Sequence, residues 1–376
     1  MPPRWRAILS RIEPYVPPLP LAALEAEVGQ PVIRLSANEN PIGPSPLAVE
    51  AIRAEISRIH LYPDGGAPAL RAAVADALGL RPENLLFGNG GDEILTLVAR
   101  ALLEPGDEVV VPDPAFEPYT TTALLAGATV VRSPLKDYRI DLDDVLARVG
   151  PRTKLVCLSS PHNPTGPALP RAAWERFAAR CAEEVLILLD EAYIDFVEDP
   201  AAVADGLATL PRRLEGLVLL RTFSKITGLA GLRVGYAIAA PGVIDCLDRV
   251  REPFNVGRLA QVGATAAIRD VRHREATRRL VWAEKRALYR AFEERGLGCV
   301  PTDANFLLVR IGRDAGLVVD ALRGWGVLVR DGAAVGLPQH LRISIGTAAQ
   351  NQRMLAALDA ALGRPSEGSR APRRRA

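Results

Sequence analysis

The residues best equipped for chemistry crowd into one short stretch, where Thr222, Ser224, Lys225 and Arg233 follow one another closely. Ser224 offers a hydroxyl, Lys225 a primary amine, and Arg233 a planar guanidinium suited to a two-point contact with phosphate. Gly228 and Gly231 give the backbone room to turn between them. A lone lysine is usually a solvated surface charge, but this one follows a buried-strand pattern at 217–220 and stands between anion ligands. A second apolar run, 185–189, ends in Asp190-Glu191, with Tyr193 just beyond. Ligands of open α/β sheets gather at the carboxyl ends of strands, so a carboxylate there is placed to meet one. A third group, Gly88 to Glu93, contains Gly90, Gly91 and Asp92 and opens a helical pattern. Free N–H groups at such a helix start suit a phosphate. The spacing matches neither a Walker loop nor GxGxxG, which argues against a nucleotide.

These residues need a scaffold, and the hydrophobic pattern supplies one. Apolar runs of strand length at 108–111, 154–158, 185–189, 217–220 and 234–239 alternate with helical patterns such as 94–103, which Pro105-Gly106 stops. The runs lack strict polar alternation, as expected of strands buried on both faces. The spacing predicts an α/β fold, its large domain built on a mostly parallel central sheet sandwiched by helices. Leu280, Val281, Leu288 and Phe292 place a helix over 275–294, and short strand-like segments at 305–310 and 341–345 predict a smaller α+β unit. The first fifty residues are rich in proline and read as extended. The expected division is an N-terminal arm with part of the small domain (1–50), a large ligand-binding domain (51–270), a small C-terminal domain (271–363) and a disordered basic tail (364–376).

Bulk properties exclude several classes. With 376 residues, 48% hydrophobic and 24% charged, the chain has the make-up of an ordinary globular protein of more than one domain. A net charge of +2, part of it in the tail, gives no basic face for nucleic acid. No apolar run approaches the ~18 residues of a membrane span, and no leader-like segment follows Arg4, Arg6 and Arg11. Four scattered cysteines and four scattered histidines suggest neither a disulfide framework nor a metal site, so a cytoplasmic location is the default.

A phosphate cradle, a carboxylate and an amine together match the needs of pyridoxal 5′-phosphate. Lys225 would condense with its aldehyde, and Asp190 would keep the pyridine nitrogen protonated so that the ring draws electrons. Tyr193 and Asn163 would hydrogen-bond the phenolic oxygen, and Phe116 would stack on the ring.

The segments Asn163 to Gly166, Asp190 to Tyr193, Ser224-Lys225 and Gly231 to Arg233 resemble, in order, those of the class I/II aminotransferases, over a span from about Tyr15 to about Leu362. Within that class the chain is similar to the histidinol-phosphate aminotransferase branch, on Pro14-Tyr15, Asn38 to Pro41, Tyr62 to Gly65, Gly88 to Glu93, Asp190 to Phe196, Asn305-Phe306, Val329 to Asp331 and Leu341 to Ile343. The resemblance implies a fold-type I pyridoxal-phosphate transferase. It implies that Gly90, Gly91, Asp92, Thr222, Ser224 and Arg233 surround the cofactor phosphate, and that Tyr62 reaches the phosphate of a neighbouring subunit in a homodimer with shared active sites. Tyr15, Arg330 and Arg342 would bind the substrate anion, with 2-oxoglutarate as the partner of the amino donor.

The chain also departs from the pattern. Phe254 stands where some members carry a substrate-facing tyrosine; the missing hydroxyl removes a hydrogen bond worth about 1–3 kcal/mol beside a charge and favours an aromatic side chain in the pocket. Phe116 replaces another frequent tyrosine, and His162 replaces a common asparagine and reads as a loop residue. Two neighbouring activities share these motifs: aromatic amino-acid transamination, and the decarboxylation of threonine phosphate.

Overall fold

The computed structural model of the chain describes residues 4–14, 20–213 and 215–364. Tyr15, and all of the basic tail except Arg364, lie outside the described residues. The strands run in chain order as β1 (Ile33–Arg34), β2 (Leu85–Gly88), β3 (Glu108–Asp113), β4 (Thr129–Pro134), β5 (Thr153–Ser159), β6 (Leu186–Asp190), β7 (Leu217–Thr222) and β8 (Gly235–Ile238). After a long helix come β9 (Gly298–Val300), β10 (Phe306–Arg310), β11 (Val327–Leu328), β12 (Arg330–Asp331) and β13 (His340–Ser344).

The central sheet has the order β2-β8-β7-β6-β5-β3-β4. Neighbours from β7 through β4 are parallel, while β8 runs against both β7 and β2. Both faces are covered: Leu85, Val110, Val156, Ile187 and Leu219 belong to one apolar core, and Leu86, Val109, Cys157, Leu188 and Val218 to another. That alternation is why the strands read as unbroken apolar runs. The fold is the α/β arrangement of the expected class. The four strands 85–88, 108–113, 186–190 and 217–222 all carry site residues at, or just beyond, their carboxyl ends.

The smaller sheet, β12-β13-β10-β9, is antiparallel. Its core takes in Phe306, Leu307, Leu341 and Ile343 together with Leu35, Tyr193, Phe196 and Ile226, so it packs directly against the edge of the site. The helix Val271–Glu294 starts on Asp270, whose carboxylate accepts from the His273 N–H.

The N-terminal region differs from the extended arm expected. Leu21–Val28 is an α-helix that follows Pro20 and closes on Gly29 at φ 69°. Proline is tolerated at a helix start, where its missing N–H costs nothing, so the proline-rich composition delimits this helix and does not forbid it.

Candidate active site

The Thr222–Arg233 stretch is a loop that leaves β7 and returns as β8. Thr222 pairs with Gly235 across the ladder, and the Phe223 N–H donates to Val234 O. The return brings Arg233 back beside Thr222. Gly228, at φ 70°, is pressed against the Gly43 carbonyl, and a side chain there would collide with it. Lys225 sits on the loop's inner side. Its Nζ donates to Ala37 O at 3.2 Å and lies 5.6 Å from the centroid of the Tyr193 ring.

Next to this loop, the helix Gly90–Leu102 begins without a side-chain cap, which leaves its first N–H groups free for an anion. Gly90 is at φ 77°, and a Cβ there would run into the Arg233 guanidinium. Arg233 Nη2 donates to Asp92 Oδ2 at 3.0 Å. The Thr222 hydroxyl donates to Ser224 Oγ at 2.9 Å and accepts from the Ser224 N–H at 3.0 Å. Helix start, two hydroxyls and a guanidinium thus converge.

A cavity of about 250 Å³ joins these groups; Gly91, Asp92, Phe116, Asn163, Asp190, Tyr193, Thr222, Ser224, Lys225 and Arg233 all line it. A larger cleft of about 510 Å³, between Lys136 and Arg180, holds none of them.

Strand alternation sends Asp190 to the cavity and Glu191 elsewhere. Glu191 is taken up by Arg221 at 2.8 Å. Asp190 is 7% exposed, and burial pushes its carboxyl up to about 6 despite two hydrogen bonds that favour the anion. One comes from the Ala192 N–H at 2.9 Å and the other from the Tyr119 hydroxyl at 2.7 Å. Tyr119 is itself buried, and desolvation beside that carboxylate raises its phenol well above the ordinary range, so it stays a neutral donor. The sequence reading missed Tyr119. Its partner Asp190 lies 71 positions away, and no local spacing links the two.

Around Asn163 the chain is braced by His162. The Pro114 carbonyl can only accept, so His162 donates to it through Nε2 at 3.0 Å, and Nδ1 accepts from the Ser159 hydroxyl at 2.8 Å. Burial lowers this imidazole to about 4, which keeps it neutral. His162 thereby links the Phe116 loop to Asn163, a structural role more definite than that of a plain loop residue. Asn163 Oδ1 accepts from Arg342 Nη1 at 2.6 Å, leaving its amide NH2 to the cavity.

Arg342, on β13, also donates to Ser36 O at 2.9 Å and lies over the Phe306 ring. Its Nε is shielded from solvent without a partner, and desolvation lowers its pKa from the ordinary value. Arg330 stands directly opposite it on β12 and is exposed. Tyr62 and Phe254 are not part of this chain's cavity. They stack on each other at 4.7 Å on the surface, with Phe254 at φ 57°.

The model of the family described as aminotransferase class I and II matches residues 30–358. The histidinol-phosphate aminotransferase of Moorella thermoacetica is 45% identical over 95% of this chain and 92% of its own length. That of Symbiobacterium thermophilum is 44% identical over 95% and 98%. Among solved structures, histidinol-phosphate aminotransferase from Sinorhizobium meliloti in complex with pyridoxal-5′-phosphate superposes with a TM-score of 0.88 at 30% identity, covering 96% of this chain and 98% of that one.

Proposed function

The chain belongs to the class I and II aminotransferases, and from that premise we propose that it moves an amino group reversibly between histidinol phosphate and 2-oxoglutarate, with pyridoxal 5′-phosphate held at Lys225. The substrate assignment is carried by the two arginines of the small sheet. Arg342 has no carboxylate paired with it among the described residues, and Arg330 faces it across the ladder. Like charges directly opposed on neighbouring strands repel, and an anion between them removes the penalty. A phosphate dianion answers both guanidiniums, whereas one would suffice for a single carboxylate.

The donor set fits the cofactor. The helix start at Gly90, Gly91 and Asp92, with Thr222, Ser224 and Arg233, would hold its phosphate, and Tyr62 of a second copy would reach the same group. Phe116 would cover one ring face. The bound cofactor supplies an electron sink for the bond broken at the substrate carbon. Asp190 would hold a proton on the ring nitrogen, and that positive partner offsets the desolvation of its carboxylate. Tyr193 and the Asn163 amide would donate to the phenolic oxygen. Lys225 Nζ, displaced by the incoming amine, would take the proton from the carbon that bears the nitrogen. Arg330 and Arg342, with Tyr15 from the N-terminal segment, would fix the substrate's anionic end, and Phe254 would border its side chain from across a subunit boundary.

The exposed surface supports a homodimer. Ile59 (64% exposed), Tyr62 (78%) and Phe254 (45%) form an apolar patch with Ile56 and Leu61. Among the described residues no helix is long and apolar enough to cross a membrane. Cytoplasmic histidine biosynthesis is the setting that accords with this reading.

Single-turnover spectroscopy tests it. Histidinol phosphate should discharge the visible absorbance of the bound cofactor much faster than phenylalanine, with 2-oxoglutarate restoring it and no carbon dioxide released. Lys225→Ala should lose both that absorbance and multiple turnover. Faster discharge by phenylalanine would transfer the assignment to aromatic amino acids, and carbon dioxide release would transfer it to a decarboxylase.

A further inference from the structure

We infer that Asn38 is a positioning residue that holds the Tyr193 hydroxyl as a donor toward the bound ring and ties it to the strand carrying Arg342; this rests on the cofactor site proposed above. Asn38 is 1% exposed and sits at φ 54°, a conformation that asparagine tolerates better than most residues. Its Nδ2 donates to the Tyr193 hydroxyl at 3.0 Å. The other polar groups of Asn38 are all engaged. Its N–H donates to Ser344 Oγ at 2.8 Å, the Ser344 hydroxyl donates to Oδ1 at 3.0 Å, and Asn305 Nδ2 donates to its carbonyl at 3.0 Å. With Oδ1 taking the Ser344 proton, the NH2 end of Asn38 is directed at Tyr193.

A phenol that accepts from Asn38 keeps its proton to give. Tyr193 lines the cavity beside Lys225, so that proton is available where the ring oxygen would lie. Ser344 is two residues past Arg342 on the same strand and therefore on the same face. One buried side chain thus joins the anion-binding strand to the donor of the ring oxygen. The charged groups around the cavity are Lys225, Arg342, Asp190, Glu39 and the Asp92–Arg233 pair.

The test is a pH titration of the visible absorbance of the holoenzyme. A donor to the phenolic oxygen favours its anion and makes the nitrogen joined to Lys225 less basic, so weakening the donor raises the midpoint. Asn38→Gly, which the positive φ accepts, should raise it by about one pH unit, toward the value of Tyr193→Phe. In a Tyr193→Phe background it should add nothing. Ser344→Ala should give a smaller shift in the same direction. An unchanged midpoint in Asn38→Gly, or an equal shift with and without the Tyr193 hydroxyl, overturns the inference. Absence of any visible band in the parent enzyme would overturn the cofactor site itself.

Discussion

Asp190 is buried at the end of a strand whose other side chains are Leu186, Ile187, Leu188 and Leu189. Each fully buried leucine or isoleucine contributes roughly 2 kcal/mol, so the strand outweighs the cost of one desolvated carboxylate. That cost has a definite pH dependence. The folded carboxyl titrates near 6, above its value of about 4 in an unfolded chain, so its contribution to stability is fully present below about pH 4 and lost as pH rises through 6. In the cofactor-free protein, Asp190→Asn should therefore be more stable than the parent at pH 8, by on the order of 3 kcal/mol, and level with it at pH 4. Chemical denaturation at the two pH values measures the difference; parallel curves would contradict the assignment of the strain to this carboxyl. Tyr119 acts on the same group. Tyr119→Phe removes the donor at 2.7 Å and should weaken cofactor affinity about tenfold, read by equilibrium dialysis, with little change in fold.

At the scale of elements, the site depends on where a helix begins. The first turn of Gly90–Leu102 is flanked by the Arg233 guanidinium, and Gly90 is the residue that permits the approach. Gly90→Ala should cost about 1–3 kcal/mol in backbone strain and displace the guanidinium, so both melting temperature and cofactor affinity should fall. Gly91→Ala, whose added carbon meets only the Leu220 side chain at 3.0 Å, should be milder. Equal damage from the two would refute a cradle built on Gly90. The strands ending near Asp190 and Lys225 were legible because both of their faces are buried and their sequences are continuous apolar runs. β4 escaped notice because it is an edge strand, with Thr129, Arg132 and Ser133 among its residues and half of its surface wet. Lys225, Asp190 and Arg233 could be picked out because their motif segments are local, and the structure brings all three to one cavity. Tyr119 and Asn38 could not, since their partners lie 71 and 155 positions away and periodicity says nothing about such pairing.

For the whole molecule, the exposed apolar patch around Ile59 and Tyr62 is the feature a lone chain does not explain. Ile59→Asp would place a charge in the proposed interface and should weaken dimerisation at least a hundredfold, since burying an unpaired carboxylate costs several kcal/mol. Sedimentation velocity across a concentration series measures this, and an unaltered sedimentation coefficient would remove the patch from the interface. The topology of the central sheet has another consequence, in time as well as in space. β2 has only β8 as a neighbour, pairing Leu85 with Ile238, so the strand that leads into the Gly90 helix has no partner until residue 238 has been made. During synthesis from the N-terminus, Asp190 and Lys225 emerge before β2 can pair with β8, and Arg342 emerges about a hundred residues after that pairing becomes possible. Residue 238 therefore has to be made before the proposed cradle for the cofactor phosphate can close, and Arg342 about a hundred residues later before the proposed anion site of the substrate is complete.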